Sequence, residues 1–115
     1  MSPIELFKSL ADHTRLRSLL LIHSQGELCV CELMVALGES QPKISRHLAQ
    51  LRANKILLDR RQGQWVFYRI NPELPGWVPD ILDTTLSSNR PMIATELQQL
   101  RAAGDLRADI KETQQ

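Results

Sequence analysis

The sequence predicts a mostly α-helical domain that closes on one β-hairpin, and three observations carry that prediction. In the first half of the chain, apolar residues recur at helical spacing between Ser, Asp and Gly punctuation. After Lys55 the pattern changes to the alternation of two strands around a turn. Between the third and fourth helical segments stands only Leu37-Gly38-Glu39, the short glycine-bearing break of a helix-turn-helix. The chain has 115 residues, enough for one domain and too few for two separate cores. Aromatics are 4% of it, so the core must rest on Leu, Ile, Val and Ala.

The elements follow in order. Ser2-Pro3 reads as an N-cap and first-turn proline opening a helix through Ala11, with Ile4, Phe7, Leu10 and Ala11 on one face. Asp12 caps a second helix, whose Leu16, Leu19, Leu20 and His23 share a side and which Gly26 stops. A third helix spans about Val30 to Leu37. Ser40 caps a fourth that runs to about Asn54, with Ile44, Leu48 and Leu51 as its buried stripe. Ile56–Arg61 and Gln64–Ile70 form the hairpin around Gln62-Gly63. In its second arm Trp65, Phe67 and Arg69 face one way and Val66, Tyr68 and Ile70 the other. A helix from Pro79 to about Leu86 and another from Pro91 to about Ala103 complete the reading, and the polar residues after Gly104 are expected to fray. Helix, break, helix, basic hairpin is the layout of a winged helix-turn-helix. Residues 1–88 are assigned to it, and 89–115 to a helical C-terminal extension.

A net charge of +1 conceals a strong asymmetry. Residues 43–69 hold seven Lys and Arg against Asp59 alone, which is half of the 14 basic side chains in one short stretch. A local basic window in a near-neutral chain suits one polyanion-binding face, although a solvated charged surface has the same composition. With its stripe turned inward, the fourth helix points Arg46, Ala49 and Gln50 outward, flanked by Lys43 and Ser45. Small residues let such a face approach a major groove, while Arg and Gln reach base edges. Gln41 sits at the helix N-terminus, where free N–H groups favour a phosphate. Arg60, Arg61 and Gln64 on the hairpin tip have the charge and reach for phosphate or minor-groove contact. The candidate DNA contacts are therefore Gln41, Lys43, Ser45, Arg46, Gln50, Arg60, Arg61 and Gln64.

Cys29-Val30-Cys31 carries the remaining chemistry. The spacing disfavours a bridge between the two sulfurs, which stand about 200° apart on a regular helix, so a reduced pair in a reducing compartment is expected. Two roles remain open from the residues alone: small buried hydrophobes, or soft thiolate ligands whose joint use would require the first helical turn to unwind. His13, His23 and His47 are scattered and make no ligand set. No P-loop, dinucleotide fingerprint, His-Glu-x-x-His pattern or nucleophile–base spacing exists, so no enzyme and no catalytic cofactor are expected. The longest apolar run, Leu19–Ile22, is too short for a bilayer, and Met1–Glu5 lacks the features of a secretory signal. A cytoplasmic protein is expected.

The chain resembles the ArsR/SmtB family of winged-helix repressors, and its arsenic-responsive branch in particular. Leu6–Leu16 resembles the family's opening helices, Glu27-Leu28-Cys29-Val30-Cys31-Glu32-Leu33 its arsenite-sensor box, Ser40–Leu48 its recognition helix, and Arg60–Arg69 its wing. The match covers about residues 4–86. The resemblance implies a homodimeric repressor that sits on an inverted-repeat operator of an arsenic-resistance operon. It also implies release when As(III) or Sb(III) binds Cys29 and Cys31, and pairing through the first helix and the helices after the wing. Here that means Ile4, Phe7, Trp77, Val78, Ile81, Leu82 and Leu86. The chain departs from the pattern at Met34, where close members with this box carry a third cysteine; core packing is the expected role of Met34.

Overall fold

A computed structural model describes residues 1–104; the expected frayed tail lies outside them. Helices α1 (Pro3–Leu10) and α2 (His13–Gln25) are followed by a short strand β1 (Leu28–Cys29), then α3 (Val30–Leu37) and α4 (Gln41–Ala53). The hairpin is β2 (Leu57–Gln62) and β3 (Trp65–Ile70). Helix α5 (Trp77–Ser88), a 3₁₀ turn (Arg90–Ile93) and α6 (Ala94–Ala102) complete the chain. The observed architecture is thus the mostly α winged helix-turn-helix that the sequence predicts.

Local chemistry explains the helix ends. Ser2 and Glu5 form a reciprocal capping box, and the Asp12 carboxylate accepts the Arg15 N–H. Ser40 Oγ accepts the Lys43 N–H, and Gly38 closes α3 at φ 64, where a side chain would be strained. These caps place α3 and α4 on either side of a three-residue break. The core lies beneath both: α2 buries four consecutive residues, Leu19 to Ile22, against Leu33, Ile44, Leu48 and Leu51, all fully buried. Arg15 ties α1 to this frame by donating from Nε to the Ser9 carbonyl at 2.8 Å and from Nη2 to the Lys8 carbonyl at 3.2 Å.

Four features depart from the sequence reading. First, β1 makes the wing a three-stranded antiparallel sheet in the order β1-β3-β2, with Leu28 opposite Tyr68 and Cys29 opposite Phe67. Two residues are too few to show strand periodicity. Second, the hairpin turn is Gly63-Gln64, one residue later than expected, because Gln62 pairs with Trp65. Gly63 supplies the positive φ of 61 that a two-residue hairpin needs. Third, α5 starts at Trp77 and holds Pro79 inside its first turn, where the missing N–H breaks no bond. Fourth, Val78 and Leu82 are 0% and 1% exposed within the single chain. Their area is spent on the chain's own core, so neither has surface left for a partner.

Residues beyond the wing are bound into the same core. Ile93 is fully buried, α6 packs on α3, and Arg17 of α2 pairs with the buried Glu96 at 2.8 Å. His23 Nε2 meets Asp83 Oδ1 of α5 at 2.5 Å, which places His23 at the core boundary. Among the described residues no helix is long and apolar enough to cross a membrane.

Candidate nucleic-acid interface and cysteine site

Helix α4 presents one face to the core and another, with the wing, to a groove of about 570 Å³. Gln41, Ser45, Ala49 and Arg52 line it from α4, and Arg61, Gln64 and Trp65 from the wing. Four of the eight expected DNA contacts are thus brought together: Gln41, Ser45, Arg61 and Gln64. Gln41 Nε2 donates to Ser45 Oγ at 3.1 Å across one helical turn. Arg46 is exposed on α4 with no ion-pair partner among the described residues. Lys43 pairs with Glu39 at 3.1 Å, a partly exposed contact that a phosphate can replace. Gln50 accepts from Arg15 Nη1 at 3.3 Å.

Arg60 and Arg61 part company, because neighbours on a strand point to opposite faces. Arg61 reaches the groove. Arg60 donates to both carboxylate oxygens of Glu27, at 2.8 and 2.7 Å, and lies 4.4 Å above the Phe67 ring. Those Glu27 hydrogen bonds raise the guanidinium's pKa further above its ordinary value. The expectation that Arg60 stands at the tip with Arg61 is corrected by the register of β2 and β3. Arg61→Ala is expected to weaken binding to all DNA sequences alike, the mark of a phosphate contact. Arg60→Ala should leave DNA affinity nearly unchanged and cost about 1 kcal/mol or less of stability, since the pair is partly solvated. Gel shifts and thermal melts of the two variants check this. Arg52 was not among the expected contacts. It follows Gln41 and Ser45 at helical spacing and lines the same groove while donating to Asp59 at 2.9 Å.

His47 lies on the inner flank of α4. Its Nδ1 is 3.5 Å from Arg15 Nη1, and since a guanidinium only donates, Nδ1 is the acceptor. The neutral ring's proton then sits on Nε2, facing Asp12 at 4.0 Å. Burial lowers the pKa of His47; Asp12 opposes this, and Arg15, Arg46 and Lys43 add to it. The unfolded chain therefore binds the proton more readily, so stability is lost as pH falls through about 6.5 toward the lowered folded value. Asp12 is lowered first by the Arg15 backbone N–H, so its contribution is lost only at more acid pH, below 3.8. Thermal melts at about pH 7.5 and 5.5 should show a larger fall for the wild type than for His47→Gln.

The cysteines overturn the expectation made for them. Cys29 and Cys31 are joined as a disulfide, with their Cα atoms 5.4 Å apart. The reason is that Cys29 is not helical. It is the N-cap of α3, with φ −86 and ψ 162, so its side chain folds back over the first turn instead of pointing away. Cys29 Sγ accepts the Glu32 N–H at 3.3 Å, and Glu32 Oε1 accepts the Cys29 N–H at 2.9 Å. No unwinding of α3 is needed to bring both sulfurs to one place. Cys29 is fully buried against Phe67, while Cys31 and Trp65 pack at the edge of that cluster. The Trp65 indole N–H is buried there without an acceptor among the described residues. Cys31 also lines the 570 Å³ groove, and so does Met34, whose side chain packs on the core as well. No group of three or more His, Cys, Asp or Glu side chains suited to a metal ion occurs among the described residues.

A helix-turn-helix and a basic wing that share one groove define a winged helix-turn-helix DNA-binding regulator, with Cys31 on the wall of that groove. The model of the arsR family of bacterial regulatory proteins matches residues 12–56. The arsenic resistance transcriptional regulator ArsR2 of Pseudomonas putida is 62% identical over 101 residues, covering 88% of each chain. The arsenical resistance operon repressor of Escherichia coli is 60% identical over 81 residues, covering 70% of this chain and 69% of that one. The crystal structure of the AntR antimony-specific transcriptional repressor superposes with a TM-score of 0.65 at 34% identity, covering 76% of this chain and 77% of that one. The protein belongs to the arsR family of bacterial transcriptional regulators, in its arsenic-resistance repressor group. It is a DNA-binding regulator, not an enzyme.

Proposed function

We propose that this protein holds an inverted-repeat operator of an arsenic-resistance operon as a homodimer, and lets go when As(III) or Sb(III) binds the reduced Cys29–Cys31 pair. The observation that carries this reading is that Cys31 lines the same groove as Gln41, Ser45, Arg61 and Gln64. Two thiols displace two hydroxides from As(OH)₃ as water, leaving arsenic trivalent with two As–S bonds. The arsenic that bridges the two sulfurs puts a ligand beside Cys31, between the recognition helix and the wing. The metalloid thus favours a state that fits DNA worse, the difference that release requires.

Gln41, Lys43, Ser45, Arg46, Gln50, Arg61 and Gln64 are assigned to DNA contact, with Arg60 holding the wing to Glu27. Residues 1–88 form the binding and dimerisation unit, and 89–115 an extension whose α6 supports α3. Dimerisation is assigned to the apolar side chains that a single chain leaves open: Ile4 and Phe7, 65% and 52% exposed, with the half-buried Trp77 and Ile81. A two-fold dimer reads two inverted half-sites.

The test is operator release against arsenite, on protein first reduced by a phosphine and on protein kept as the disulfide. The reduced form is expected to leave DNA on adding arsenite. The disulfide form has no thiolate to offer and should stay bound at the same arsenite concentration. Equal response of both forms would sink the cysteine site while leaving the DNA-binding role intact. The disulfide gives a second reading its own footing, in which oxidation is itself the signal; release by oxidant without arsenite would favour it.

A further inference from the structure

We infer, on the basis of the dimeric repressor proposed above, that Arg15 is a positioning residue for operator spacing. With Asn54 it fixes recognition helix α4 to the dimerisation helix α1, and so sets which separation of two inverted half-sites the dimer accepts.

The contact between α1 and α4 is bridged, not packed flush. A cleft of about 270 Å³ lies between them, lined by Glu5, Lys8 and Ser9 on one side and Gln50 and Asn54 on the other. Hydrogen bonds span it, and Arg15 of α2 makes most of them. At the end of α1 its Nε donates to the Ser9 carbonyl at 2.8 Å and its Nη2 to the Lys8 carbonyl at 3.2 Å. Its Nη1 reaches α4, 3.3 Å from Gln50 Oε1 and 3.5 Å from His47 Nδ1. One planar, rigid guanidinium thus holds both helices. Asn54, the C-cap of α4, adds a direct bond from Nδ2 to Oγ of the buried Ser9 at 3.3 Å. The apolar anchors of α1 are the fully buried Leu6 and the half-buried Leu10, one turn apart, while Ile4 and Phe7 face outward. Apolar burial is non-directional, so it seats α1 on the core and leaves the angle to the hydrogen bonds.

Symmetry turns that angle into a length on DNA. The proposed dimer joins two copies of α1, so each α4 is referred to the two-fold axis through its own α1. Each base pair moves the second half-site about 3.4 Å along the duplex and turns it by about 35°. A stiff α1–α4 link accepts one spacing. A loose link spreads binding over several and weakens the best of them.

The experiment starts from the inverted repeat that the wild-type protein selects from a randomised duplex pool. Its spacer is then shortened and lengthened by single base pairs. Binding of full-length wild type, Arg15→Lys and Asn54→Ala is measured to each duplex and to one half-site alone. The readout is the ratio of affinities between the selected and the altered spacing, in which a general loss of stability or charge cancels. The wild type is expected to lose about tenfold or more per base pair changed. Arg15→Lys keeps the charge but lacks the planar fork that reaches both helices, and should cut that loss to about threefold or less. Asn54→Ala should move the ratio the same way by a smaller factor. An unchanged ratio in both variants, their folding checked by circular dichroism, would overturn the inference and leave the dimeric repressor standing. Should Arg15→Lys not fold, the exposed Asn54 decides alone, and an unchanged ratio there is equally fatal. A wild-type protein indifferent to spacing would overturn the dimer reading and this inference with it.

Discussion

Replacing Cys29 with Ser is expected to leave a folded, operator-bound repressor that arsenite no longer releases. The folded part of this expectation follows from the cap. Cys29 Sγ accepts the Glu32 N–H at the head of α3, and a serine hydroxyl is the better acceptor for that position, so the helix end is kept. Cys31→Ser leaves the cap untouched and changes a side chain at the edge of the Phe67 cluster. Neither residue is among the proposed DNA contacts. The loss of release follows from chelation. The second As–S bond forms within a molecule already held by the first, and such a link multiplies affinity by roughly 100 to 10,000. Either serine variant should therefore need at least about a hundredfold more arsenite for half-release. Met34→Ala should shift it much less, because a thioether is a poor ligand for As(III) and the side chain mainly packs on the core. Normal release by either serine variant would remove the two-thiolate site.

Arg46→Ala should give the largest loss on the DNA side, about 1–3 kcal/mol, with relaxed discrimination at one base position. Arg46 is exposed on α4 and has no ion pair among the described residues to break, so its guanidinium is free to engage a base edge bidentately. The contrast with Arg60 is internal to the protein: both are arginines in the basic window, yet one is uncommitted and the other is held by Glu27 and Phe67. Equilibrium binding to the operator and to single-base variants, at one salt concentration, measures both effects. An Arg46→Ala protein with unchanged affinity and unchanged base preference would mean that α4 does not read DNA through this face.

The ends of α1, α2, α3 and α4 were legible in the sequence because they are set within a few residues, by Ser2, Asp12, Gly38 and Ser40 acting on N–H groups and carbonyls one turn away. So was the division of β3 into a Trp65–Phe67 face and a Val66–Tyr68–Ile70 face, since alternation is a property of any strand. The basic window likewise pointed to the face where Gln41, Ser45, Arg61 and Gln64 now meet. Tertiary structure decided the rest, through contacts between residues far apart in the chain. Pairing of Leu28 and Cys29 with β3 extended the backbone at Cys29, and that alone turned its sulfur toward Cys31. The pairing of Gln62 with Trp65 set the turn, while strand alternation put Arg60 on the side of Glu27. Packing of α5 on the core consumed Val78 and Leu82, which an apolar pattern cannot distinguish from residues awaiting a partner. The groove that joins Cys31 and Met34 to the recognition helix and the wing is the same kind of fact. A spacing of two between cysteines states which atoms are available, and only the fold states what they face.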